Sequence, residues 1–183
     1  IGDREFVIII DLLTEKEKAE RQKKATLDNK KISAVKNRNN ELKLNINDTA
    51  SQFTVQMIDG QKINLSELKG KVVLLNYWAT WCAPCLMEFA EFPEKIIEPF
   101  KDKDFVLIPI AIGESQEKVE KKMDKMKKYG VDFNVGIDPQ KEIWNQYATG
   151  AIPKSFIIDQ HGIINYISIG NSEGNVDKLA AEI

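Results

Sequence analysis

Val72-Val73-Leu74-Leu75-Asn76-Tyr77-Trp78-Ala79-Thr80-Trp81-Cys82-Ala83-Pro84-Cys85 is the stretch on which the fold turns. Its first seven residues are apolar except for Asn76, the continuous pattern of a strand covered on both faces. Four residues after Trp78 comes Cys82. Pro84 suits the first turn of a helix, where its missing N–H would have had no helical partner. A buried strand, a short turn bearing a Cys-x-x-Cys pair and a helix from about Ala83 are therefore predicted. A cysteine at a helix start faces unpaired backbone N–H groups and the positive end of the helix dipole. Both stabilise a thiolate, lowering the thiol pKa from ~8.5 into the range roughly 3.5–7.5. Cys82 is expected to be the exposed nucleophile at the cap. Cys85, about one turn on, is expected to be shielded and close enough to close a disulfide.

Cys82 and Cys85 are the only cysteines among 183 residues. A structural zinc site takes four Cys or His ligands, and the chain adds only His161 to the pair. So tight a loop closes too few residues to constrain an unfolded chain much, which makes a structural staple a poor reading. Dithiol redox chemistry remains, or a metal site completed by a second chain.

Working outward, Phe53 to Met57 alternates as a strand, and Asp59-Gly60 is a hairpin signal leading to Lys62–Leu65. Ser66 to Gly70 reads as one helical turn. The helix after Cys82 is expected to run to Pro99, kinked or broken at Pro93. Phe105 to Ile112 is a second buried strand. Ser115 to Tyr129 is helical, with Val119, Met123, Met126 and Tyr129 spaced as a packing stripe and Gly130 at its end. A strand at Phe133–Ile137, a short helix at Pro139–Tyr147 and a hairpin of Ser155–Ile158 with Ile163–Ile169 follow. A helix over Asn171–Ile183 closes the chain. This alternation predicts an α/β fold, a mixed sheet with helices on both faces. Glu114 is expected to be a solvated loop residue, and His161 an exposed turn residue.

Apolar residues make up 43% and charged residues 30%, a composition that argues for a folded globular chain. The longest apolar run has eight residues, Phe105 to Ile112, against the ~20 needed to cross a bilayer. A net charge of −2 gives no pull toward nucleic acid or anionic membrane. Residues 1–50 hold 11 basic and 9 acidic residues and the remainder 15 and 19, so the charge changes sign near residue 50. In the first part, Phe6 to Ile10 reads as a strand. Thr14 is placed to cap a polar helix whose apolar positions are Ala19, Ala25 and Leu27, and Asn37-Arg38-Asn39-Asn40 ends it. Residues 1–47 are expected to be an extension dispensable for dithiol chemistry, and residues 48–183 a domain. The start lacks the charged and apolar regions of a signal peptide; a trimmed chain, its targeting segment removed, is expected.

Gly70-Lys71-Val72-Val73-Leu74-Leu75-Asn76-Tyr77-Trp78-Ala79-Thr80-Trp81-Cys82, Gly113-Glu114-Ser115, Tyr129-Gly130-Val131 and Ile152-Pro153 before Phe156-Ile157-Ile158-Asp159 resemble the thioredoxin superfamily. Within it they are similar to the TlpA/ResA-like extracytoplasmic thiol-disulfide oxidoreductases, over about Asp48 to Ile183. The resemblance implies a thioredoxin-like fold with an N-terminal β-hairpin and an inserted helix-strand unit. It implies a redox-active Cys82–Cys85 disulfide that reduces protein disulfides through a mixed disulfide, with no metal, nucleotide or flavin cofactor. Electrons then come from an upstream thiol reductant protein. Location in the bacterial periplasm or cell envelope follows, with membrane tethering only through a segment this chain lacks. Glu88 matches a carboxylate kept near the dithiol and is expected to act as proton acceptor for Cys85. Ile152 and Pro153 correspond to the substrate-binding loop, with a cis peptide facing the dithiol; Trp81 is either a lid beside Cys82 or packing alone.

Asn76 replaces the buried Asp of thioredoxin, as in the ResA-like branch. Ala90 stands where relatives carry a proline, Pro93 comes three residues later, and Ile152-Pro153-Lys154 replaces Thr-Pro-Thr. The same dithiol also serves a thiol oxidase or isomerase, or a metal-binding module shared between two chains. A thiol peroxidase fits less well, because the Pro-x-x-x-Thr-x-x-Cys setting is missing.

Overall fold

The structure, a computed structural model, describes residues 41–183 together with residues 19, 20, 22–24, 26 and 27. The chain divides into two units, Ile1–Glu41 and Leu42–Ile183. In the first, the described residues from Ala19 to Leu27 are helical and exposed, and Thr26 Oγ1 donates to the Gln22 carbonyl at 2.8 Å. The strand expected at Phe6–Ile10, the Thr14 cap and the Asn-rich stop lie outside the described residues.

The second unit is built on one sheet of seven strands: β1 Thr54–Met57, β2 Lys62–Asn64, β3 Val72–Trp78, β4 Phe105–Ile112, β5 Gly136–Asp138, β6 Lys154–Ile158 and β7 Ile164–Ile169. Their order is β2-β1-β5-β4-β3-β6-β7. β3 and β4 pair in parallel at the centre, β4 and β5 are parallel, and the remaining pairs are antiparallel. Residues 42–47, which the sequence placed in the extension, are fastened to this unit. Lys43 N donates to the Tyr147 carbonyl at 2.9 Å and Asn47 N to the Ile164 carbonyl at 2.8 Å.

Side chains alternate across a strand, and β3 shows what that does here. Val73, Leu75 and Tyr77 enter a core with Phe53, Trp144, Tyr147 and Phe156, and Leu42 and Leu44 pack against it. Leu74 and Trp78 enter the other core, under helices α1 (Ala83–Phe92), α2 (Gln116–Lys127) and α4 (Asn175–Glu182). The first face carries the short α3, Trp144–Tyr147, and one 3-10 turn, Leu65–Leu68, the helical turn expected at Ser66–Gly70. Asn76 shares parity with Leu74 and Trp78, so the one polar side chain of this strand points beneath α1.

The departures from expectation have local causes. At Pro93 the regular α-helix is interrupted, as expected, without the helical path ending: α1 passes into a π-helical stretch, Pro93–Ile97, and then a last turn, Glu98–Phe100. Proline clashes with the carbonyl four residues back, and the wider π turn accommodates it while Glu98 N donates to the Pro93 carbonyl. Tyr129 is 81% exposed because α2 stops at Lys127, so the packing stripe ends at Met126. The strand expected over 133–137 shrinks to Gly136–Asp138, since Phe133 turns into the helix layer, its ring 5.0 Å from that of Phe89. Gly136 is required there: a Cβ would lie 2.5 Å from Val55 Cγ2 of the neighbouring strand. The helix of 139–147 contracts to α3 because the Asp138 carboxylate accepts from Glu142 N and Trp144 N, each at 2.8 Å, holding the intervening residues in a turn. The last helix starts only at Asn175.

Candidate active site

Cys82 is the N-cap residue of α1, with extended backbone, and its Sγ accepts from Cys85 N at 3.3 Å. Cys82 and Cys85 form a disulfide, with Cα atoms 5.3 Å apart. This is the oxidised state of the pair. Cys85 has no exposed surface and Cys82 only 3%, so the exposed nucleophile expected at the cap is, in this state, nearly covered. Its sulfur is turned inward to Cys85 and lies 3.8 Å from the Ile152 carbonyl. Its neighbour Trp81 stands 67% exposed.

Three segments converge on the dithiol. The first is the Ile152–Pro153 loop, whose peptide bond is cis. Behind it, Lys154 is fully buried; its Nζ donates to the Thr149 carbonyl at 3.0 Å and to the Ala151 carbonyl, and lies 5.3 Å from the centroid of the Trp144 ring. A lysine so buried is tolerated only when its head group is hydrogen-bonded, and here the acceptors belong to the loop that leads to Ile152.

The second is the turn before Cys82. Glu114 is 5% exposed, not solvated. Its carboxylate accepts from Thr80 N at 2.6 Å and Thr80 Oγ1 at 2.7 Å, and pairs with Lys118 Nζ at 2.5 Å. Burial raises its pKa, but Lys118 and Thr80 together outweigh that and hold it below the ordinary 4.5. An ionised Glu114 thus ties β4's exit to the turn that presents Trp81 and Cys82.

The third is a polar chain under α1. Glu88, 1% exposed, accepts from Asn175 Nδ2 at 2.7 Å and from Asn76 Nδ2 at 3.3 Å. Asn76 Nδ2 also donates to Ser155 Oγ at 2.9 Å, and Asn175 Oδ1 accepts from Ser168 Oγ at 2.7 Å. Glu88 sits three residues beyond Cys85 on the same helix, hence on its face. Burial pushes its carboxyl up from 4.5 to about 7, against the two amide hydrogen bonds, which lower it; Glu91 adds to the rise. His161 is exposed in its turn.

The raised carboxyl gives a pH dependence of stability with a definite sign. Between the ordinary 4.5 of an unfolded carboxyl and about 7 in the folded protein, the folded state holds the extra proton. Stability therefore falls as pH rises through this window. The loss should reach about 3 kcal/mol by pH 8, at 1.36 kcal/mol per pKa unit. Urea unfolding of the oxidised protein at pH 5 and 8, beside Glu88→Gln, measures it. The parent should lose this increment relative to the variant, and equal pH slopes in both would contradict it.

Residues 46–167 match the AhpC/TSA family. The chain belongs to that family. It is 36% identical over 142 residues to the thiol-disulfide oxidoreductase ResA of Bacillus thuringiensis, covering 75% of this chain and 80% of the relative. The ResA of Bacillus subtilis is 34% identical over 121 residues, covering 66% of this chain and 65% of the relative; the chain thus spans just under two thirds of that protein. Among solved structures, a candidate protein disulfide isomerase from Bacteroides thetaiotaomicron superposes with a TM-score of 0.71 at 32% identity, over 78% of this chain and 89% of the other. These relatives make this AhpC/TSA member a thiol-disulfide oxidoreductase with a thioredoxin-like fold.

Sequence reasoning singled out both cysteines, Trp81, Glu88, Ile152 and Pro153, and the structure gathers them at one end of α1. It missed Lys154, Asn175 and the anchoring by Glu114. Asn175 lies 87 residues from its partner Glu88, and no local pattern links them.

Proposed function

We propose that the protein reduces disulfides of other proteins. Cys82 thiolate attacks one sulfur of the substrate disulfide, forming a mixed disulfide and expelling one substrate thiolate. Cys85 then loses its proton to a base, which we assign as Glu88, and attacks Cys82 Sγ. The second substrate thiol leaves, two electrons have passed to the substrate, and the Cys82–Cys85 disulfide remains. A reduced dithiol protein upstream must restore the pair. The observation that carries this reading is the disulfide at the N-cap of α1, where backbone N–H groups and the helix dipole favour a thiolate on Cys82 once it is reduced.

The Ile152–Pro153 loop and Trp81 would receive the substrate. An extended segment laid along this loop can pair with its backbone, as in strand addition, with Trp81 supplying an apolar contact. Likeness to a candidate disulfide isomerase favours isomerisation as the second reading, the same dithiol attacking and releasing without net electron transfer. We place the protein outside the bacterial cytoplasm, as in the branch its sequence resembles. Among the described residues no helix is long and apolar enough to cross a membrane.

Insulin reduction in the presence of dithiothreitol tests the reading. The full chain should accelerate precipitation of the insulin B chain, and Cys82→Ser should not. We also propose that the N-terminal extension is dispensable, so a chain starting at Leu42 should match the full one. A folded but inactive parent would overturn the reductase assignment, and a folded but inactive short chain would overturn the division of labour.

A further inference from the structure

Six of the fifteen lysines after residue 50 lie between residues 118 and 128, and four of them share one face of α2. Lys118, Lys121, Lys122 and Lys125 recur at i, i+3, i+4 and i+7, one row along the helix. Glu120 and Asp124 lie on another flank, lining a cleft with Asp59 and Asp132 in which Lys127 pairs with Asp124 at 3.8 Å and Asp132 at 3.7 Å. Val119, Met123 and Met126 take the buried face. The lysine row lines a groove of about 300 Å³ whose remaining wall is Thr80. Thr80 is two residues from Cys82, in the turn that also carries the exposed Trp81.

Two carboxylates reach the row. Glu117 pairs with Lys121 at 2.6 Å, and Glu114 pairs with Lys118 while already bound to Thr80. Among the described residues no ion pair reaches Lys122 or Lys125. Positive charge is thus concentrated at the rim of the dithiol, on a chain whose residues after 50 are net negative by four. A solvated helix face needs charge of either sign. It does not need four lysines gathered in one row beside the turn that leads to the redox site.

We propose that this groove docks an acidic segment of the protein whose disulfide the site reduces, the segment lying beside that disulfide in the substrate. The inference rests on the reductase reading and names the substrate class for it. A row of like charges beside a reactive centre raises encounter rates with an oppositely charged partner by roughly 10–10³-fold at low salt. The effect fades once the Debye length shrinks below the spacing of the charges. The chain's overall negative charge works against acidic partners, so a preference for them must come from this row.

Two peptides of equal length, each closed by one disulfide and flanked by either glutamates or lysines, supply the test. Single-turnover reduction of each by the pre-reduced full chain is followed beside the uncharged 2-hydroxyethyl disulfide. At an ionic strength of about 0.01 M the acidic peptide should react about 10-fold faster than the basic one, and the ratio should fall toward one at about 1 M. In the Lys122→Glu, Lys125→Glu double variant the ratio at low salt should drop to one or below. Equal rates for both peptides in the parent overturn the docking inference, and a ratio that survives the double variant removes it from this groove. Reduction of 2-hydroxyethyl disulfide but of neither peptide overturns docking and leaves the reductase reading standing. A folded parent that reduces none of the three overturns that reading, and this inference with it.

Discussion

Cys85→Ser should convert the protein from a catalyst into a trap, holding its substrate as a mixed disulfide through Cys82 and losing multiple turnover. The magnitude follows from tethering. Cys82 and Cys85 sit at the start of one helix with Cα atoms 5.3 Å apart, so resolution is intramolecular. Well-placed intramolecular reactions reach effective molarities of roughly 10⁵–10⁸ M. Even ~10 M would exceed a millimolar external thiol by ~10⁴, and the mixed disulfide should outlive that of the parent by at least this factor. Mass spectrometry of Cys85→Ser mixed with an oxidised peptide should show one peptide per chain, linked at Cys82. In the reduced parent, brief iodoacetamide treatment should label Cys82 first, because it is the thiol at the helix cap. Predominant label on Cys85 would reverse the assignment of attacking and resolving thiols.

What could be read from the sequence were the features encoded by neighbours along the chain. β3 announces itself in seven consecutive residues, and the cap at Cys82 in four. What could not be read depends on residues far apart meeting in space. Glu114 has the local look of a solvated loop residue, yet Thr80, 34 positions earlier, folds its N–H and hydroxyl onto it. Lys154 looks like an exposed position after a proline. It is buried because the loop over 149–151 curls back and offers carbonyl groups to its head. Tyr129 shows the opposite failure: its spacing continues the stripe of α2, but the helix has ended before it. Periodicity records the side chain and not where the hydrogen bonds stop.

Glu88→Gln should slow resolution of the mixed disulfide and leave the first attack by Cys82 much less affected. Cys85 is fully buried, and burial disfavours a thiolate, so a base must take its proton as it attacks. Among the groups packed under α1, Asn76, Ser155, Ser168 and Asn175 are amides and hydroxyls. Glu88 is the titratable member, and burial sets it at about 7, where a base works best at neutral pH. The protonated state also has somewhere to place its new hydrogen. Among the described residues Asn76 Oδ1, on the amide that already touches Glu88, is buried without a hydrogen-bond partner, and a turn of that amide presents it as an acceptor. The competing account is that Glu88 merely complements the helix dipole, worth roughly 0.3–1 kcal/mol. That account sits poorly with a side chain 1% exposed whose burial favours the neutral form. The two part in stopped-flow reduction of a model peptide disulfide. Loss of a general base predicts resolution slower by about 10²-fold, toward the low end of what such catalysis contributes, and loss of the pH dependence centred near 7. A dipole role predicts resolution within about a factor of two of the parent at pH 7, since at most ~1 kcal/mol is at stake and only part of it changes during the reaction. Resolution as fast in the Gln variant as in the parent would remove Glu88 from the mechanism and leave the polar chain beneath α1 as a packing device.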